Sequence, residues 1–308
     1  MSKFVDIINE VKKAINGKDR AIEITLLALL AEGNILIEDM PGVGKTTMAV
    51  AFSKALGLSY KRVQFTPDTL PSDITGFSTY IKETGKFVFN KGAVFCNLFL
   101  ADELNRTSSR TQSALLEAME EHQVTIEGKT FPLESPFSVI ATQNPVGASG
   151  TQLLPDSQVD RFMIRISMGY PEKEDECKML LNRCRSNPLN DIVAVCDKYE
   201  FAKMQEAVRE VYVKPIIAEY IVNLISATRN NPFIIRGASP RATLSLTDIA
   251  KAVAFSSDRD YVIPQDIHKV FIHTLSHRII LSNEAIIKHM SSTQILKGIL
   301  SKVKAPRI

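Results

Sequence analysis

The sequence carries almost no charge excess. Its 37 Lys and Arg stand against 34 Asp and Glu, a formal net charge of +3, and the two signs are interleaved along the chain. A nucleic-acid partner usually leaves a stronger basic footprint, so charge does not point to one. Cysteine is scarce. Cys96, Cys177, Cys184 and Cys196 show neither C-x-x-C spacing nor a nearby histidine pattern, which argues against a metal site and for buried or free thiols in a reducing compartment. His122, His268, His273, His277 and His289 lack metal-ligand spacing with carboxylates and read as surface or packing residues. Long apolar runs are missing as well. The stretch Ala21 to Leu30 contains Glu23 and is followed by Glu32, so it is too short and too charged to span a bilayer. The N-terminus lacks a signal-peptide arrangement, and there is no internal repeat or low-complexity tail. The expectation is a soluble, cytoplasmic protein; 308 residues, 45% of them hydrophobic, suffice for one large domain or two ordinary ones.

What is present is organised around Asn34 to Thr47, NILIEDMPGVGKTT, where an apolar run breaks into a glycine loop and then a helix-forming segment. This is the layout of a phosphate-binding loop. In Pro41-Gly42-Val43-Gly44-Lys45-Thr46-Thr47, glycines let successive N–H groups point at one anion, and the helix beginning near Lys45 adds its positive dipole end. Lys45 would neutralise β- and γ-phosphate charge, and Thr46 would place its hydroxyl on Mg²⁺. The pattern G-x-x-x-x-G-K-[ST] asks for glycine where this chain has Asp39, a carboxylate that must turn away from a triphosphate.

Around this loop the chain alternates strands and helices. An amphipathic helix over about 4–15 is expected to carry Val5, Ile8, Val11 and Ile15 on one stripe, followed by a helix over about 19–32. Strands are expected at about 34–38, 60–65, 97–101, 137–142 and 162–167, with helices at 46–56 and 109–121 between them, a pattern that argues for a parallel sheet covered on both faces. Segments 77–89 and 122–132 read as β-hairpins that such a core does not need, and so as inserts serving a partner or pore. After Gly169-Tyr170-Pro171 the pattern becomes helical: about 172–186, 199–211, 215–229, 240–256, 264–280 and 283–303. The expected division is a core over 1–170 and a helical domain over 171–308.

Leu98 to Glu103, LFLADE, supplies the other half of a nucleotide-hydrolysing site. A carboxylate ending an apolar strand stands beside the phosphate loop, where Asp102 can hold the Mg²⁺ shell through water and Glu103 can polarise an attacking water. Asn144, at the end of the following strand, can hydrogen-bond that water or a γ-phosphate oxygen. Phosphoryl transfer also calls for arginines that arrive in the closed state, and the candidates are Arg161 and Arg241.

The segments EDMPGVGKT, LADELNRTSSRTQSALLEAMEEHQVTIEG, ATQNP, LLPDSQVDRF, YP and GASPRATLSL together closely resemble the MoxR family of AAA+ ATPases, over about residues 14–280. The resemblance implies an α/β P-loop core of five parallel strands in order 5-1-4-3-2 and a C-terminal all-α lid, with ATP between them. It maps Walker A to Gly42, Gly44, Lys45 and Thr46, Walker B to Asp102 and Glu103, sensor 1 to Asn144, an arginine finger reaching a neighbour's ATP to Arg161, and sensor 2 to Arg241. It further implies a ring, usually a hexamer, with both hairpins directed at its pore. Arg106 belongs to the family pattern without a role that chemistry suggests.

The expected activity is Mg²⁺-dependent ATP hydrolysis in a homo-oligomer that remodels or matures protein partners, including proteins with von Willebrand A domains, as the resemblance implies. Two alternatives stay open. A nucleic-acid motor would need basic inserts, whereas these carry Lys82, Lys86, Lys91 and Lys129 beside Glu83, Glu121, Glu127 and Glu134. An ATP-binding scaffold with negligible turnover would have no use for the set Glu103, Asn144 and Arg161.

Overall fold

The computed structural model describes residues 3–144, 154–183 and 187–307. Pro145, Leu153 and Cys184, each part of an expectation above, lie outside them.

Helices α1 (Lys3–Lys12) and α2 (Asp19–Leu30) precede strand β1 (Ile35–Glu38), which leads through the glycine loop into α3 (Lys45–Ala55) and β2 (Tyr60–Gln64). A short helix α4 (Pro71–Thr75) introduces the hairpin of β3 (Gly76–Ile81) and β4 (Lys86–Lys91). Strand β5 (Leu98–Asp102) and helix α5 (Ser109–Glu121) follow, then a second hairpin of β6 (Gln123–Ile126) and β7 (Lys129–Pro132). Strand β8 (Ser138–Gln143), the single turn α6 (Asp156–Val159) and strand β9 (Ile164–Ile166) complete the core.

The central sheet has five strands in the order β2-β5-β8-β1-β9, all parallel. In chain order this is 5-1-4-3-2, as the resemblance implies. Alternation along each strand divides the side chains between two layers. Ile35, Ile37, Leu98, Leu100 and Ile140 face one hydrophobic cluster, and Leu36, Phe99, Ala101, Val139 and Ala141 face the other. Burial on both faces explains why these strands read as continuous apolar runs. The first layer is covered by α1, α2 and α3, and it extends without a break into the helical region; the second is covered by α5 and the segment around Ile74.

The helical region comprises α7 (Lys173–Arg183), α8 (Lys198–Glu210), α9 (Pro215–Arg229), α10 (Pro240–Ser256), α11 (Pro264–Leu275), α12 (Asn283–Ile287) and α13 (Ser292–Lys302). A short antiparallel ribbon joins β10 (Ile234–Arg236) to β11 (Ile280–Leu281). Proline stands at the first position of α9, α10 and α11, where its missing N–H costs nothing. Ser239 caps α10 by accepting from Ala242 N–H, which is the local meaning of Ser-Pro-Arg in this stretch.

Three local expectations change. The buried stripe of α1 is Phe4, Ile7 and Val11, while Val5 is 41% exposed. Phe4 buries more apolar surface than Val5 can, and the helix turns to take it inward. The segment 264–280 is helical only to Leu275, since Ile280 pairs with Arg236. The segment 283–303 is two helices, because His289 adopts a left-handed backbone (φ 51°) and Ser291 starts a new helix as its cap.

Both hairpins are present, and neither joins the central sheet. Glu127 and Gly128, both at positive φ, form the two-residue turn that matches the twist of β6 and β7. At the base of the first hairpin Gly76 and Gly92 meet back to back: a Cβ on Gly92 would lie 2.3 Å from the Ile74 carbonyl and 2.4 Å from the Gly76 nitrogen. Phe89 stacks on Phe131 with centroids 4.0 Å apart, so the two hairpins pack as one unit. No helix among the described residues is long and apolar enough to cross a membrane.

Candidate functional site

The loop after β1 turns on two glycines. Gly42 (φ 86°) and Gly44 (φ 98°) occupy backbone conformations costly for other residues, and a Cβ on Gly42 would meet no atom within 4 Å. Glycine is therefore required by the backbone path, and the space above Gly42 is open. Lys45 begins α3, and its buried ammonium curls back over the loop, donating to the Asp39 carbonyl (2.7 Å) and to Asn144 Oδ1 (3.3 Å). Burial lowers the Lys45 pKa, against the opposing charges of Asp102, Asp39 and Glu103. Thr46 and Thr47 stand in the first turn of the same helix.

Asp39 does turn away. Its Oδ2 accepts from the backbone N–H groups of Met168 and Gly169 (2.8 Å for the latter) and from Ser167 Oγ (3.1 Å). The carboxylate that departs from the phosphate-loop pattern thus ties the loop's entry to the end of the last core strand.

Asp102 and Glu103 end β5, one strand from β8 and two from β1. Asp102 is buried; Thr142 donates to its Oδ1 (2.6 Å) and Arg62 to its Oδ2 (2.7 Å). Glu103 sits at φ 57°, ψ 47°, a left-handed conformation that costs a non-glycine residue about 1–2 kcal/mol. Its N–H donates to Thr142 Oγ1 (2.8 Å), so one hydroxyl serves both acidic residues and holds this bend. The bend aims the carboxylate at Asn144, whose Nδ2 donates to Oε1 (2.9 Å), while Arg106 (2.7 Å) and Gln64 (2.9 Å) donate to Oε2. Burial pushes the Glu103 carboxyl up, but these donors outweigh it and hold it below its usual value.

Lys45, Asn144, Glu103 and Asp102 therefore form one connected set. Arg161 and Arg241 stand apart from it. Glu120, near the end of α5, takes Arg161 Nη1 on Oε2 (3.0 Å) and Arg241 Nη2 on Oε1. Arg161 also donates to the Leu116 carbonyl (3.2 Å), and Arg241 lies 3.9 Å from Asp160. The described cleft at the phosphate loop, about 390 Å³, is lined instead by Ile15, Gly42, Gly44, Thr47, Tyr170 and Met179, among others.

Sequence reading missed Arg62 and Gln64, and left Arg106 without a role. Gln64 pairs in register with Asp102, so a strand order that sets β2 beside β5 already places its polar end against the acidic pair. Arg106 follows Glu103 by one turn of a short 3₁₀ helix.

The chemical capacity follows from this arrangement. Turned N–H groups, a helix N-terminus and one ammonium suit a polyphosphate. Thr46, in the first turn of α3, and the buried Asp102 are of the kind that suits Mg²⁺, which keeps most of its waters and asks for few protein ligands. The hydrogen-bonded, ionised Glu103 beside Asn144 suits the placing of a water.

Residues 34–164 match the model of the ATPase family associated with various cellular activities (AAA), and residues 226–299 match the AAA lid domain. The chain is 45% identical to the uncharacterised protein YeaC of Bacillus subtilis, covering 99% of this chain and 95% of that one. It is 37% identical to the chaperone MoxR1 of Mycobacterium tuberculosis, covering 98% and 82% of the two. A crystal structure of a candidate ATPase from Cytophaga hutchinsonii, 40% identical, superposes with a TM-score of 0.91 over 99% of this chain and 95% of that one. Phosphate loop, acidic strand end, five-strand order and helical lid thus converge with these similarities: the chain belongs to the MoxR family of AAA+ ATPases.

Proposed function

We propose that the chain is a Mg²⁺-dependent ATPase that works as a homo-oligomeric ring, most simply a hexamer, and remodels protein partners. The observation that carries this reading is the separation of Arg161 and Arg241 from the chain's own Lys45–Glu103 set, with both arginines held on Glu120. Charge developing on the transferred phosphoryl group needs such cations, and a second copy can bring them to a site whose own arginines, Arg62 and Arg106, are already paired with Asp102 and Glu103.

Within one site, the loop Pro41 to Thr47 cradles the phosphates and Lys45 exchanges the Asp39 carbonyl for phosphate oxygens. Thr46 and Asp102 would hold Mg²⁺, which when bound would neutralise phosphate charge. Asn144 orients the attacking water, and Glu103 accepts its proton. Arg161 and Arg241 of the neighbouring copy complete the charge compensation. In this reading residues 1–170 are the nucleotide-binding core and 171–308 the lid.

A protein client is favoured by the first hairpin, which exposes Phe77 (54%), Tyr80 (51%) and Phe87 (65%). Isolated exposed apolar residues need no explanation, but Tyr80 and Phe87 face each other across the ladder with ring centroids 5.2 Å apart, an exposed aromatic pair that suits unfolded or loosely folded chain, and Phe77 adds a third ring nearer the base on the other face. Clients with von Willebrand A domains enter through the family resemblance.

The decisive experiment measures hydrolysis per subunit over a wide protein concentration range, then mixes Arg161→Ala with Glu103→Gln. Activity that rises and saturates, and mixtures more active than either variant alone, agree with a site shared between copies. A flat profile with an unimpaired Arg161→Ala would falsify it.

A further inference from the structure

The two residues flanking Arg161 are gripped by the lid of the same chain. On one side, Ser239 Oγ, at the cap of α10, lies 2.9 and 3.2 Å from the two Asp160 carboxylate oxygens. On the other, the Phe162 carbonyl accepts from Arg278 Nη2 (2.7 Å) and is 3.0 Å from His277 Nε2. Arg278 spans both sides, since its Nε is 3.4 Å from Asp160 Oδ1, and Ser245 Oγ takes a further contact at 3.1 Å.

Arg278 is an expensive residue for this position. Its side chain is 1% exposed, and among the described residues its Nε and Nη1 make no hydrogen bond. A buried ionic group with incomplete partners is often less stabilising than an apolar side chain of the same size, so packing alone gives no reason for it. Geometry does give one. A planar guanidinium that hydrogen-bonds the Phe162 carbonyl and Ser245 on one edge and faces the Asp160 carboxylate as an ion pair on the other brackets residues 160–162, and Arg161 projects from between them. Arg241, two residues beyond Ser239, stands on the same lid segment and pairs with the same Glu120.

We infer that Arg278 is a positioning residue for Arg161, making the lid part of the arginine finger that a protomer presents to its neighbour. The inference rests on the proposed sharing of sites between copies. Lid position then sets the aim of Arg161, and the effect of Arg278 is felt at the neighbour's nucleotide rather than at its own.

The test uses full-length Arg278→Gln and Arg278→Lys, with Asp160→Asn as an isosteric variant at a partly exposed position in case a buried substitution prevents folding. Each is examined for binding of a fluorescent ATP analogue, for turnover as a homogeneous assembly, and for turnover after mixing with Glu103→Gln. The expected result is analogue binding within about twofold of the parent, a loss of turnover on the order of 10²-fold in kcat for Arg278→Gln, and recovery on mixing. Glu103→Gln supplies an intact finger to the intact hydrolytic site of the Arg278 variant. Arg278→Lys, which keeps charge without the fork, falls between the two. A purely structural role predicts no recovery, because a damaged subunit cannot use a borrowed finger. Normal turnover, lost analogue binding, or failure to recover while Arg161→Ala does recover overturns the inference, and the same holds for Asp160→Asn. If Arg161→Ala itself fails to recover with Glu103→Gln, site sharing falls and Arg278 falls with it.

Discussion

Arg106 closes on Glu103 from three residues away, its Nη1 2.7 Å from Oε2, so the carboxylate that faces Asn144 on one oxygen is neutralised on the other. Gln64 from the neighbouring strand adds a second donor to the same Oε2. The pair keeps Glu103 ionised at lower pH than an ordinary glutamate. Removing the cation lets the carboxyl rise toward its unperturbed value, so in Arg106→Ala the acid limb of the turnover profile moves to higher pH. An unmoved or lowered limb in a pH profile of kcat contradicts this assignment. Glu103→Gln is expected to bind ATP normally and lose turnover by about 10²-fold or more, read by single-turnover hydrolysis.

Lys45 presents its ammonium to the Asp39 carbonyl and Asn144, contacts that phosphate oxygens can take over. Lys45→Ala is expected to weaken binding of a fluorescent ATP analogue by at least about tenfold, the loss of one charge-assisted bond of about 1.5–3 kcal/mol. Unchanged titration in that variant contradicts the placing of polyphosphate on this loop.

Asp39 points its carboxylate at the Met168 and Gly169 N–H groups, away from the loop. Asp39→Ala leaves those donors without their charged partner and is expected to cost about 2–4 kcal/mol, seen as a lower urea midpoint. Asp39→Gly restores the usual loop residue, yet nucleotide affinity is expected to change less than about threefold, since the replaced carboxylate was not facing the phosphates. A large gain in affinity contradicts that orientation.

His277 is buried, and its Nε2 engages the Phe162 carbonyl. Burial first, then the neighbouring Arg278, hold its pKa well below 6.5. The unfolded chain therefore takes up a proton that the fold refuses, and stability present above about pH 6.5 is lost as the pH falls below it. Melting temperatures from pH 8 to pH 5.5 are expected to decline across that window, and His277→Gln to flatten the decline. Glu103 and Glu10, whose pKa values are lowered, shed their contributions only below the ordinary glutamate range, so the two effects separate on the pH axis.

Local signals made much of this fold legible. Gly42 and Gly44 mark the loop because only their backbone freedom permits it, and the bounds of α9 and α10 follow from Pro215 and Pro240 at their starts. The strand order came from the family resemblance, since alternation alone does not rank strands. What stayed hidden depends on partners distant in sequence. Gln64 reaches Glu103 across the β2–β5 pair, and Arg278 reaches Phe162 across the core–lid junction. The break at His289 was masked because Ile286, Ile287, Ile295 and Leu296 continue an apolar pattern on both sides of it. The stripe of α1 was misplaced because Phe4 and Val5 compete for one inward position, and periodicity does not weigh their areas.

The contact between Gly76 and Gly92 makes the root of the first hairpin a backbone-to-backbone joint, closed over by the Phe89 ring. Above it the hairpin leans on its neighbours through Phe89, which stacks on Phe131 and meets Phe95, so its shape is set by those residues as well as by its own ladder. The loop end at 82–85 stands apart: its residues are exposed and can change without touching that joint. The counterpart is that the joint tolerates almost nothing: a single methyl group on either glycine jams it.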